Sequence, residues 1–336
     1  MFKKNTHNTV MSPEDAETKK LSRILWIVVA FVGVLAVVFG VIYYLGQRSN
    51  DGPSAAERTI TVAEKAVTDE PNNIGARLAL AAAYTQTGRP DDALLQYKEV
   101  LKATPGNRSA LLGEGEIYYS KNDLVNAAAA YGEVIKNAGG GEFSGADPQL
   151  QTAFFYAGEV ALRQGDTQKA VKYLESAVQI DATDADAWNL IGEAQAKLGN
   201  FKKAAAAYQE ALKFVPTGWC DPYAGLKNAY SKLGDKDGVA YATAMGDICN
   251  EKPEGAKQLE ALVNGPYKVP AMLGLALAAE TTGDYKTAVD WYKKVTAVEP
   301  QNVSALTALA RLDVAPISSG SPAASAPAGS PSPAAS

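Results

Sequence analysis

The sequence predicts an all-α protein whose folded part is a solenoid of helix-turn-helix pairs, and three observations carry that prediction. Residues recur at a fixed spacing, the stretch from Trp188 to Pro216 reads as two amphipathic helices broken at Gly199, and glycine or proline punctuates the stretches around it. The spacing is clearest where Phe154, Gly158, Gly165, Ala170 and Ala177 return as Trp188, Gly192, Gly199, Ala204 and Ala211, each 34 residues later. A period of roughly 20–50 residues marks a solenoid, because one helical pair buries its apolar face only against its neighbours.

At the N-terminal side, residues 1–23 are a tail ending in Lys19, Lys20 and Arg23. Ile24 to Leu45 follows, 22 positions without a charge. At about 1.5 Å per residue a helix of that length spans a ~30 Å hydrocarbon core. Trp26 near one end and Tyr43 and Tyr44 near the other suit the two interfaces. A cleaved signal peptide is the alternative, but its apolar region runs about 7–15 residues, so the length favours an uncleaved signal anchor. The basic residues before the span put 1–23 in the cytoplasm by the positive-inside rule. Everything from Gly46 onward is then expected outside it, in a prokaryotic cell envelope, with 46–54 as a linker to the folded region.

Six units make up the folded region, 55–313. The first starts at Ile74 and carries Leu80, Ala81, Tyr84, Gly88, Ala93, Tyr97 and Pro105. The second starts at Arg108, with Leu111, Gly115, Tyr118, Ala127, Tyr131 and Gly139 at the matching places; the third and fourth start at Gln151 and Ala185. A fifth near Cys220 keeps Tyr223, Leu226, Tyr230 and Gly234 but loses the small residue at which its second helix would approach the first. The sixth starts at Val269 and carries Met272, Leu275, Ala276, Gly283, Ala288, Tyr292 and Pro300. Helices at about Ala55 to Asp69 and Val303 to Asp313 read as end caps. This pattern resembles the tetratricopeptide repeat family, whose unit is a 34-residue helix-turn-helix.

Two spacings depart from 34. Units two and three start 43 apart, and the excess falls on residues 139–148, "GGGEFSGADP", a loop whose glycines lack the Gly-Lys-Ser/Thr of a phosphate cradle. Units five and six start 49 apart, which predicts one short extra helix and a turn around 251–267. The last segment, 314–336, is almost entirely Ser, Gly, Pro and Ala and has nothing to bury, so it is expected to be disordered.

Composition excludes several classes. The chain has 336 residues, 47% hydrophobic and 21% charged, with a net charge of -5. No basic block is interleaved with aromatics, which argues against nucleic acid. His7 is the only histidine, so the folded region holds no Ser-His-Asp, Cys-His or His-ligated metal arrangement. The chain is expected not to be an enzyme, and neither metal, cofactor nor small-molecule substrate is expected. Cys220 and Cys249 are the only cysteines, at the start of one helix and near the end of the next. Those ends lie side by side in an antiparallel pair, so a disulfide is credible, with two buried thiols as the alternative.

The resemblance implies that the first helix of each unit lines a groove holding a peptide or partner helix, with the unit's ninth position pointing into it. That position is Glu116, Glu159, Glu193 and Asn228 in units two to five, flanked by Leu112, Phe155 and Asn189 at the fifth. Three glutamates beside apolar and amide groups suit a ligand with basic residues; solvated helix surface is the alternative. The functional expectation is a membrane-anchored scaffold that binds protein or peptide partners on the exported side, in an assembly, secretion or maturation complex. The alternative is a tether or spacer between membrane and cell wall, acting through the tail.

Overall fold

The computed structural model describes residues 37–43, 54–138, 147–215 and 218–314. Among these there are helices and connecting turns and no strand. The N-terminal tail 1–23, most of the expected span 24–45, the linker 46–53, the glycine-rich loop 139–146 and the tail 315–336 lie outside the described residues. Residues 37–43 are helical and exposed. Among the described residues, no helix is long and apolar enough to cross a membrane.

Contacts group the chain into two compact units, 1–71 and 72–336. The first contains α1 (Ala55–Asp69). A capping box fixes its start: Glu57 N donates to Ser54 Oγ at 3.1 Å, and Ser54 N donates to Glu57 Oε2 at 2.6 Å.

The second holds the repeats. Unit one is α2 (Ile74–Gln86) and α3 (Pro90–Ala103); unit two is α4 (Arg108–Ser120) and α5 (Leu124–Asn137). Unit three is α6 (Pro148–Gln164) and α7 (Thr167–Ile180), and unit four is α8 (Ala185–Lys197) and α9 (Phe201–Phe214). Unit five is α10 (Asp221–Leu233) and α11 (Lys236–Cys249). The short α12 (Glu254–Glu260) precedes unit six, α13 (Lys268–Thr281) and α14 (Tyr285–Val298), and α15 (Val303–Val314) closes the described chain.

Local chemistry sets these boundaries. Asn73, Asn107, Asp147 and Asp184 cap the first helices of units one to four, each accepting a backbone N–H three residues on. Asp123, Asp166, Asp235 and Asp284 do the same for second helices. Between the helices, Gly88, Gly165, Gly199, Gly234 and Gly283 all have φ between 70° and 85°. Asn122 takes that place in unit two at φ 59°, a left-handed conformation that asparagine tolerates better than most residues.

Within a unit the helices meet through small residues. Ala93, Ala127, Ala170, Ala204 and Ala288, equivalent in their units, are fully buried. Opposite them, a Cβ added at Gly115, Gly158 or Gly192 would fall within 2.7 Å of Tyr131, Leu174 or Tyr208. Unit five has Val239 at the alanine position, and its solution is a shift of one residue. Gly238 is buried instead, with Tyr230 Cγ 2.7 Å from where its Cβ would be. Ala242, Met245 and Ile248 then face inward along α11.

Stacking between units is unequal in the two helix layers. The first helices α2, α4, α6, α8 and α10 each pack directly on the next, whereas consecutive second helices do not pack comparably. The first helices therefore form the closer, inner layer. That layer is interrupted after α10, where α12 intervenes and α13 packs on α11. At the same place Cys220 Sγ and Cys249 Sγ are 2.10 Å apart, bonding the start of α10 to the end of α11.

Candidate partner-binding face

On the inner layer, units two and three bring Glu116, Glu159, Leu112 and Phe155 into one aromatic cluster. Tyr131, on α5, stacks on Tyr156 of α6 with centroids 5.5 Å apart and planes 13° from parallel. Tyr119 lies 5.6 Å from Tyr156 in a tilted contact, and Phe155 meets Tyr156 edge-on at 5.1 Å. Leu112 packs against the apolar base beneath them. The Tyr119 hydroxyl donates to Glu159 Oε1. Glu116, one helix across, is exposed and has no basic partner among the described residues.

The electrostatics of the cluster are negative. Burial and the bond to Glu159 push the Tyr119 hydroxyl up to about 12. Tyr156 is raised as well, first by burial and then by Glu116, Glu159, Asp186 and Asp184. The same two glutamates raise Tyr131, after burial and Tyr156. Four carboxylates from three units thus bear on one ring. Arg163 is the cation nearby: its guanidinium lies 4.8 Å from the Tyr119 ring centroid and donates to Asn122 Oδ1 at 2.6 Å.

Unit four contributes differently. Asn189 is buried and donates from Nδ2 to Glu193 Oε1 at 3.4 Å. Glu193 is exposed and bears on Tyr208, which burial pushes up to about 12. In unit five Asn228 is exposed, and no described contact ties it to the aromatic cluster.

Tyr119, Tyr156 and Asp186 were not among the residues that the sequence pointed to. Tyr119 stands three residues after Glu116 and Tyr156 three before Glu159, spacings that share a helix face. That spacing was the available signal.

Farther along, the interrupted layer opens a cavity of about 500 Å³. Leu273 and Leu277, at the fifth and ninth positions of unit six, line it with Tyr223, Tyr241, Met245 and Pro270. Apolar side chains thus stand where units two to four carry glutamates. Among the described residues no group of three metal-ligating side chains is present.

Paired antiparallel helices, positive-φ turns and a contiguous layer of first helices define a helical-repeat protein. Tetratricopeptide repeat profiles match residues 78–142, 141–185 and 157–218, and again 269–302. Those matches span more than half of the chain, which belongs to the tetratricopeptide repeat family. Cellulose synthase 1 operon protein C of Komagataeibacter xylinus is 30% identical over 163 residues, 47% of this chain and 12% of that protein. General transcription factor 3C polypeptide 3 of Homo sapiens is 23% identical over 129 residues, 38% of this chain and 14% of that one. The chain therefore spans only about an eighth of the length of the curated relatives it matches. Among solved structures, MamA aligns with a TM-score of 0.46 at 23% identity, over 53% of this chain and 97% of its own. YrrB, described as a TPR protein with an unusual peptide-binding site, aligns at 0.49 and 18% identity, over 60% and 98%.

Proposed function

We propose that this chain is a non-enzymatic scaffold that captures a protein or peptide segment carrying basic residues on its layer of first helices. The observation that carries the reading is the cluster of Tyr119, Tyr131 and Tyr156 across two units, with Glu159 bonded to Tyr119 and both Glu116 and Glu159 bearing on the rings. Glu159 accepts from Tyr119, and neither glutamate has a basic partner among the described residues. A basic ligand pairs with them and is steered in by the field.

We further propose that residues 24–45 anchor the scaffold in a membrane, with 1–23 cytoplasmic and the repeats in the exported cell envelope. The 22 uncharged positions and the lysines before them support the anchor. The Cys220–Cys249 bond supports an oxidising compartment. On this reading 55–313 is the working region, and the tail 314–336 a spacer.

Crosslinking in the native host, with mass spectrometry of what is attached, tests the scaffold. Glu116→Gln, Glu159→Gln and Glu193→Gln together should deplete a reproducible partner set. An unaltered set would overturn the reading.

A further inference from the structure

Tyr131 is 1% exposed, yet its hydroxyl has no hydrogen-bond partner among the described residues. Buried polar groups are almost always paired, because an unmet donor or acceptor keeps its full desolvation cost. Packing does not require the oxygen. The ring fills the space over Gly115, where a Cβ would meet Tyr131 Cε1 at 2.6 Å, and phenylalanine would fill it equally well. Elsewhere in the chain the equivalent residue is satisfied: in unit six Tyr292 donates to Glu280 Oε1 at 2.6 Å. The Tyr131 ring stacks on Tyr156, which lies against Tyr119, the donor to Glu159, so the hydroxyl belongs to the same cluster, and Glu116 and Glu159 both bear on it.

The cation resident at the cluster, Arg163, does not bond the Tyr131 oxygen. Glu159 accepts from Tyr119, and Glu116 pairs with no base among the described residues. Arg163 is engaged at the Tyr119 ring and at Asn122. Tyr156, stacked on Tyr131, is held by ring contacts alone and makes no hydrogen bond among the described residues. It can therefore move aside without breaking a polar contact.

We infer that Tyr119, Tyr131, Tyr156, Glu116 and Glu159 form a pocket for one basic side chain, ammonium or guanidinium, of an extended partner segment. The inference deepens the scaffold reading and rests on it. An N–H of the cation donates to the Tyr131 oxygen, the two glutamates balance its charge, and the Tyr156 ring attracts it through its quadrupole. Charge complementarity and the orphaned hydroxyl together select a cation over an apolar anchor. Phe155 meets Tyr156 edge-on on the same helix.

The test uses the full chain with 13C-labelled tyrosine rings, observed by NMR. Its probes are short peptides of Gly, Ser and Ala with a single central Arg, Lys or norleucine. The Arg or Lys peptide should shift the Tyr119, Tyr131 and Tyr156 signals, and the norleucine peptide should not. Tyr131→Phe should weaken the basic peptide about tenfold, the scale of a hydrogen bond to a charged group. A melting curve at or above that of the unsubstituted chain shows that this variant is folded. Equal binding of norleucine, or full binding by Tyr131→Phe, would overturn the pocket. If Tyr131→Phe binds fully while the triple glutamine variant still loses its host partners, the pocket falls and the scaffold stands. If the probes bind as expected and host capture is unaltered in the triple variant, the pocket stands and the scaffold falls.

Discussion

Units two to four and units five to six use the same helical pair, yet they present different faces. Through units two to four the first helices touch one another, and acidic and aromatic side chains converge between them. In units five and six α12 separates the layer, and the corresponding positions of unit six, Leu273 and Leu277, line a cavity instead. The difference shows that in a solenoid the chemistry of the face follows from the stacking: contiguous helices let side chains of successive units share one site, and an inserted helix ends that sharing. The irregular part also carries the disulfide and a glycine, Gly255, packed against the backbone of α11.

The largest effect should come from the disulfide. Cys220 and Cys249 are 29 residues apart, and in the loop-entropy account closing such a loop contributes about 3–4 kcal/mol. Cys220→Ser with Cys249→Ser should lower stability by that order in urea unfolding. Because repeat stabilities are coupled only to their neighbours, hydrogen exchange should rise in α10 to α12 and little in α6 to α8. Uniform loss along the array would erase the distinction between the two regions.

Next comes Gly255, on the inserted helix. A Cβ there would lie 2.5 Å from Ala244 O and 2.9 Å from Ile248 N, backbone atoms of α11 that cannot turn away. Gly255→Ala should cost about 1–3 kcal/mol, the overpacking range. Gly132, on α5, has nothing within 4 Å of its added Cβ, and Gly132→Ala should gain about 0.5–1 kcal/mol from helix propensity. Thermal melts of the two variants, one below and one above the unsubstituted chain, sharpen the comparison. Tyr131→Phe should gain about 1 kcal/mol by removing an unpaired buried hydroxyl. A loss in its melting temperature would mean that the hydroxyl has a partner within the fold.

Much of this architecture was legible because the repeat reports itself. The unit starts at Ile74, Arg108 and Ala185 are the first residues of α2, α4 and α8, and the inserted helix falls inside the span that the extra spacing marked. Unit five was harder, since its small residue had moved from 239 to 238 and only the packing of Tyr230 reveals the shift. The face was half legible. Ninth-position glutamates follow from the family resemblance, but which of them share a ring depends on how one unit stacks on the next. Asn189 illustrates the limit: it occupies a groove position by spacing, yet it is buried under Glu193.

The smallest effect is in acid, and it separates two caps with the same role. Asp147 begins α6, where the backbone N–H of Leu150 and the guanidinium of Arg108, 2.6 Å away, hold its carboxyl below the ordinary 3.8. Asp184 begins α8 with a matching bond from Ala187 N at 2.9 Å, yet burial first, then Asp186 and Asp181, raise it. The signs oppose. A lowered carboxyl contributes stability above its unfolded value, lost as pH falls through the folded one; a raised carboxyl favours the fold in acid and loses that contribution as pH rises from 3.8 through its folded value. Asparagine caps helices as well as aspartate does. Asp147→Asn should therefore flatten the acid-side loss of stability, and Asp184→Asn should remove the decline just above 3.8, both read from urea midpoints across pH. Identical pH profiles for the two variants would show that the carboxylates gathered at unit four do not strain its cap, and would remove one reason to place a basic ligand beside them.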